Sequence, residues 1–386
     1  IILKKGEGDL ANGTITTPFE VSFAKGSVDN HNDLGGIGPD DHHAQDHAAE
    51  HEVGGGDPLA WATTKTTGAW AKSIGGGGDY ADWATMIAAM PDQIAHAVTV
   101  TIKTGTTLTE ICDIYNKHAI ASTGRIIVQA EKFYPPYADV IPTADSATAT
   151  TLRDAVLAAE GFGNDYFNGC WVRIVDGTGT DNGYVLITDY IDATGDVVVA
   201  NWPGTRPDNT SRYIIVGALI DGGAARAQCL DIANCTAEIS FYGIGFTDST
   251  SHMIYINNCS SVTFYYCGIC DSGANGAYVL KNLFITFYRC GVVANGDVGI
   301  RVYATNYCAV TRCGISDNTN YGIESLAGSF VAASNEFGDL NGNWGAYATQ
   351  SGQIRISGTE CSGAAGNHSD EGTAGDNSDD QASAYV

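Results

Sequence analysis

The chain has 386 residues, of which 44 are Asp or Glu and 19 are Lys or Arg, for a formal net charge of −25. That balance excludes a nucleic-acid grip, which needs clustered cations to neutralise phosphates, and no run reaches the roughly 18 apolar residues of a membrane-spanning helix. With 48 glycines and only 16% charged residues, the composition suits a turn-rich, all-β protein.

Residues 1–60 read as an attachment segment followed by a linker. A strand-like run at 17–24 has no core of its own to join, and 31–51 is dominated by Gly, Asp and His. So little apolar surface cannot offset the entropy of ordering the chain, so other chains are expected to order it. His43, His47 and His51 stand at i, i+4 and i+8, which would align them on one helix face as candidate ligands of a structural metal ion. The simpler reading is a solvated linker, and no other cofactor is expected. The chain opens on Ile1 without a visible signal-peptide pattern, which leaves processing or missing upstream residues open.

Residues 61–145 supply a cap and the first strands. Glycines at 75–78 form a hinge, apolar residues in 79–90 follow helical spacing, and Pro91 stops them. Strands are expected at 98–104, 110–115 and 125–130. Residues 146–216 are expected to form a helix at 146–161, closed by Gly161, and then a small β module. Its strands lie at 170–175, 183–190, 196–199 and 213–216. Gly177-Thr178-Gly179 lacks the Lys-Ser/Thr of a phosphate loop and reads as a turn.

Residues 217–362 carry the repeat around which the chain is organised. From 239 to 353 the sequence aligns with itself every 23 residues. One column reads Phe241, Phe264, Phe287, Val310, Ala333, and another Gly245, Gly268, Gly291, Gly314. A third reads Ile254, Ala277, Ile300, Ile323, Ala346. Apolar residues alternate at spacing two in short runs bounded by turn formers, which is strand periodicity. A repeat of this length with two or three short strands is one turn of a parallel β-helix, each turn about 4.8 Å above the last. Of the eleven cysteines, Cys267, Cys290 and Cys313 recur once per turn. They are expected as stacked, buried free thiols, because parallel Cβ vectors rarely reach disulfide torsion. Residues 363–386 read as a polar C-terminal arm.

These columns resemble the right-handed parallel β-helix of the pectin-lyase-like superfamily, which is found in polysaccharide lyases and in phage tailspikes and fibres. The fold class expected is therefore all-β: a right-handed parallel β-helix with a small embedded β module and an N-terminal capping helix. Three further stretches resemble phage tail and fibre proteins: the connector Gly38, Asp40-Asp41-His42, His47; the entry at 99–106 and 126–131; and the module at 171–216. Together they imply a virion structural protein, a projecting fibre or spike in a virion or extracellular setting. It would be a homotrimer, mounted on other virion proteins through residues 1–60 and contacting a host-surface glycan. The alternatives are a tailspike depolymerase and a non-viral adhesin.

The candidate catalytic residues are Asp248, Asp271 and Asp317, which share one turn column. Asp248 and Asp271, one turn apart, would match the separation of a retaining pair; Asp271 and Asp317, two turns apart, that of an inverting pair. The simpler reading is that Asp opens turns by bonding its own backbone two residues on. Tyr265, Tyr288, Arg289 and Arg312 form an aromatic and basic stripe and are the candidate glycan contacts. Because that stripe lies several residues from the carboxylates, neither hydrolase nor lyase activity is expected.

Overall fold

The computed structural model describes residues 65–135, 141–334, 338, 340–357 and 362–370. The run at 17–24 and His43, His47 and His51 lie outside them.

Three parallel sheets stack around a single apolar column, and the fold is the expected β-helix. The first sheet has nine strands, from Trp70–Ile74 to Gln353–Ser357, and the second six, from Thr107–Leu108 to Gly314–Ser316. The third has eight, from Cys112–Tyr115 to Gly366–Asp370. Register follows the sequence columns: Phe241 faces Phe264, which faces Phe287, and Ile254 faces Ala277, which faces Ile300. The alternating residues point inward and are fully buried. Phe241, Phe264 and Phe287 stack at 5.0 and 5.1 Å with ring planes 8° and 7° apart. Each such ring contributes about 2–3 kcal/mol by leaving water.

What bends the strands into a coil is a residue in the left-handed conformation at each corner. Gly243, Tyr266, Arg289 and Arg312 hold φ between 52° and 64° at the corner after the first sheet. Asp248, Asp271, Ala294, Asp317 and Leu340 do the same after the second, and Asn234, Asn258, Lys281, Ala304 and Ala327 after the third. Each is spaced by 23 or 24 residues from the next, so the conformation is part of the repeat. Asn, Asp and Gly tolerate this region best; Ala, Arg and Leu accept strain that the stacked neighbours hold in place.

At most corners the residue after the left-handed one turns inward and donates to backbone; after Ala327 the donor is Ser329, and Ile244, after Gly243, is a buried apolar residue instead. Asn282 Nδ2 donates to Leu280 O at 2.9 Å and Ile256 O at 3.0 Å. Cys290 Sγ faces the equivalent carbonyls, Tyr288 O at 3.6 Å and Phe264 O at 3.5 Å, and Cys313 does likewise. After the second sheet the same place holds Asn295, Asn318 and Asn341, whose carboxamides also link to one another at 2.9 Å. The recurrent cysteines are therefore buried free thiols, as expected. They do more than fill space, because each takes the part of a ladder Asn as a weak donor.

The β-helix is interrupted once and resumes in register. The chain leaves the first sheet after Ala130 and re-enters the second at Ala218, and Ala218–Asp221 pairs with both Thr107–Leu108 and Ile244–Thr247. Between these points lies an antiparallel six-stranded sheet, in the order Arg212–Val216, Trp171–Asp176, Val185–Ile191, Asp196–Val199, Thr151–Arg153, Ser146–Ala147. Phe167, Tyr190 and Tyr213 are buried in a core of its own, where Tyr213 Oη donates to Asp154 Oδ2 at 2.7 Å. The helix expected over 146–161 is confined to Ala155–Ala159. Asp154 caps it, accepting from Val156 N at 2.8 Å, and the residues before the cap form a hairpin in which Ser146–Ala147 pairs with Leu152–Arg153 and Thr151 pairs with Val198.

At the N-terminal end the helix Trp83–Ala89 closes the column. Asp82 caps it, and Trp83 and Met86 insert into the main core. Trp83 Nε1 donates to Asp113 O at 3.0 Å, and Glu110 accepts from Trp83 N and Ala84 N. At the other end the β-helix runs beyond 362. Gly366–Asp370, expected to lie in a polar arm, pairs as a strand with Trp344–Ala348, because an open sheet edge satisfies backbone groups whatever the side chains.

The strained corners can be tested directly. Ala304→Gly is expected to raise stability by up to about 1 kcal/mol, since Gly carries no Cβ penalty at φ 49°. Urea unfolding measures it; a loss of stability would show that the corner is not strained.

Candidate functional site

The candidate carboxylates lie at the corner after the second sheet, beside the place where the β module seats. The glycine column explains that seat. Residues 245, 268 and 291 point outward from the second sheet, and a Cβ at Gly268 would lie 1.8 Å from Tyr184 Oη. One at Gly291 would lie 2.3 Å from Val175 Cγ1, and one at Gly245 2.8 Å from Tyr184 Cζ. The column is bare so that the module can lie flat on the sheet. Val175, Ile214, Leu219, Cys270 and Val293 are buried in this seam, and Ser316 Oγ donates to Val175 O at 2.6 Å.

Arg173, only 1% exposed, crosses the seam from the module and donates to Asp271 Oδ1 at 3.0 Å. Desolvation raises the Asp271 carboxyl from its ordinary value, against the pull of Arg173. Asp248 is also raised, first by desolvation and then by the Asp221 and Asp271 carboxylates. Tyr184 Oη lies 3.7 Å from Cys270 Sγ, and burial pushes that thiol up to about 11. The structure thus brings Asp248 and Asp271 together on adjacent turns. Ala294 separates Asp271 from Asp317 in the column, and Asp271 is turned toward the buried guanidinium. All three aspartates hold positive φ, as do Ala294 and Leu340 in the same column. Backbone geometry accounts for the column without a reaction.

The aromatic and basic stripe is also assembled. Tyr242 and Tyr265 stack at 4.7 Å with planes 8° apart, and Tyr265 meets Tyr288 edge to face at 5.9 Å. Arg289 lies over the Tyr288 ring at 5.1 Å, and Arg312 Nη1 donates to Tyr288 Oη at 3.1 Å. Part of the stripe is engaged within itself: Tyr242 and Tyr265 cover one another's faces, and the guanidinium of Arg289 covers part of Tyr288. Arg289 is nearly buried.

Two features escaped the sequence columns. The first is Arg173, whose partner lies 98 residues away; the bare glycine column was the available signal that something covers that sheet. The second is a cluster on the third sheet. There His252, Tyr255 and Tyr278 come together, and Arg301 pairs with Asp297 at 3.2 Å and with Glu324. Among the described residues no group of three or more His, Cys, Asp or Glu is arranged to hold a metal ion.

No family model matches the chain, and no curated protein matches it. Three solved structures similar to it are a glycoside hydrolase, an alginate lyase from Paenibacillus sp. str. FPU-7 and the tailspike protein gp49 from Pseudomonas phage LKA1. The first is 9% identical with a TM-score of 0.29, over 72% of this chain and 89% of that one. The alginate lyase is 9% identical at 0.30, over 78% and 98%. The tailspike is 12% identical at 0.25, over 71% and 54%. Similarities this distant carry no weight for the activity of the chain.

Two outcomes check this account of the site. Gly268→Ala is expected to cost about 1–3 kcal/mol by overpacking the seam, and much less in a Tyr184→Ala background. Equal costs in both backgrounds, by urea unfolding, would refute the seat. Asp248→Asn is expected to stabilise the protein at pH 7, because a carboxyl raised on folding loses its contribution as pH rises and it ionises. The gain should vanish as pH falls through the carboxylate range and the wild-type group protonates. A gain that grows toward acid would reverse the assigned direction.

Proposed function

We propose that the chain is a structural β-helix of an extracellular spike or fibre, of the virion type, which contacts a surface glycan without cleaving it. One observation carries the non-catalytic part: the best-placed carboxylate, Asp271, is committed to Arg173 in the seam that fixes the module. A hydrolase needs that group free to act as nucleophile or acid. The resemblance of the connector at 38–47 and of the module to phage tail proteins supports the virion setting, and the acidic exterior suits an extracellular one.

Self-association belongs to the same proposal. Along the corner between the third and first sheets, Leu280, Leu283, Phe284, Tyr303, Tyr307 and Phe330 form a ridge over three turns. Phe284 is 58% exposed and Leu283 46%. No Asp or Glu interrupts the ridge, in a chain with 44 of them. An exposed apolar patch of this kind marks a protein contact, and copies that are each strongly acidic meet most easily where neither carries a carboxylate. A trimer about an axis parallel to the ridge is the assembly we propose.

The second reading is a depolymerase, favoured by the raised carboxyls of Asp248 and Asp271 on adjacent turns. Incubation with a panel of bacterial exopolysaccharides separates the two. The structural reading expects no reducing ends and no unsaturated products. Release that disappears in Asp271→Asn or Asp248→Asn would establish the depolymerase instead.

A further inference from the structure

We propose that the outward face of the third sheet, centred on Tyr278, binds an oligosaccharide of neutral or amino sugars. The proposal rests on the reading of the chain as a glycan-contacting surface, and names the site and the sugar class.

The strands of the third sheet alternate inward and outward residues, and one outward column runs Asp113, Asp231, Tyr255, Tyr278, Arg301, Glu324, Tyr347. Its middle is aromatic, and His252 joins it from the preceding corner. His252 and Tyr278 lie 4.9 Å apart with planes inclined at 53°, and Tyr255 and Tyr278 lie 5.8 Å apart at 54°. His252 and Tyr255 lie nearly parallel, 6.4 Å apart and 15° inclined, and Tyr278 is inclined to both, so it is the Tyr278 face that remains for the C–H face of a pyranose. All three side chains are half-buried, which restricts their motion in advance of binding.

Polar groups fixed by other contacts bound the aromatic patch along the axis. One turn before Tyr255, Asp231 accepts from Tyr115 Oη at 2.6 Å. One turn after Tyr278, Arg301 is held between Asp297 and Glu324. To the side, Asn275 Nδ2 lies 3.0 Å from His252 Nδ1. Burial and the nearby Arg301 lower the His252 pKa; with Nδ1 accepting from Asn275, the ring offers its Nε2–H as a donor. From Asp231 to Arg301 is three turns, about 14 Å, room for two or three sugar rings. The arrangement of aromatic faces flanked by a few oriented polar groups is that of a carbohydrate subsite. Asp113, Asp231, Asp297 and Glu324 outnumber Arg301 on this face, so a uronate chain would be repelled where a neutral or amino sugar is not.

Saturation-transfer NMR of the full chain with N-acetylchitotetraose, mannotetraose and tetragalacturonate tests the site. At least one of the first two is expected to bind, and tetragalacturonate is not. Tyr278→Ala and His252→Ala should each weaken the binding about tenfold, as expected for loss of one stacking platform. Tyr278→Phe should keep most of it, and circular dichroism confirms that the variants fold. Failure of both neutral and amino probes at 10 mM, or a preference for tetragalacturonate, overturns the proposal. So does binding that survives Tyr278→Ala but is lost in Tyr288→Ala; that outcome keeps the glycan-contacting reading and moves its site to the first sheet.

Discussion

Everything in this fold depends on closing a coil every 23 residues without leaving buried backbone groups unpaired. A strand cannot turn a corner and continue its ladder unless one residue takes a conformation that side chains resist. Nor can the carbonyls around that corner stay dry without donors. The solution recurs at every corner named above but the one at Gly243: a left-handed residue followed within two residues by an inward donor. Asn, Ser, Thr and Cys all serve as that donor, which explains how a column can drift from Cys235 and Cys259 to Asn282 and Thr305 without changing its task. Stacking then makes the solution cooperative, since Asn282, Cys290, Asn295 and Asn318 each also donate to a carbonyl one turn below.

Much of this was legible in the sequence because the repeat is regular. Inward columns keep their apolar character, so period two and period 23 could be read together, and the boundary at 217 follows from where the columns resume. The corners were half-legible. The Asp column at 248, 271 and 317 was visible, but a turn requirement and a catalytic requirement select the same residue type. Ala294 and Leu340 resolve the ambiguity: they hold the same backbone angle with no chemistry to offer. The helix read over 146–161 failed because Ala and Thr in that segment are neutral on periodicity. The module supplied strand partners that no local pattern announces.

The seam between module and β-helix was the least legible feature, although its signature was plain. A glycine in a strand usually weakens it, so four in one column need a reason, and close approach of another backbone is one. The sequence says that something approaches; only the structure says that Tyr184, Ile214 and Val175 do. The same contact decides the chemistry. Once the module is seated, Arg173 has no solvent and needs an anion, and Asp271 is the one it meets. A carboxylate that balances a buried guanidinium would leave it uncompensated on each protonation, a cost of several kcal/mol that a general acid would incur at every turnover.

With the second sheet covered, the remaining two faces differ in how their aromatic residues spend their surfaces. On the first sheet the register places Tyr242, Tyr265 and Tyr288 directly above one another, and strand spacing matches ring thickness closely enough for Tyr242 and Tyr265 to stack. Such a ladder strengthens the sheet and hides ring faces. On the third sheet His252, from the preceding corner, lies nearly parallel to Tyr255, and Tyr278 is inclined to both. The Tyr278 face then stays partly open. A β-helix that only needed strength would gain by completing the stack. The inclined rings, bounded by Asp231 and Arg301, are a local departure from the repeat, and such departures are where function is expected to reside.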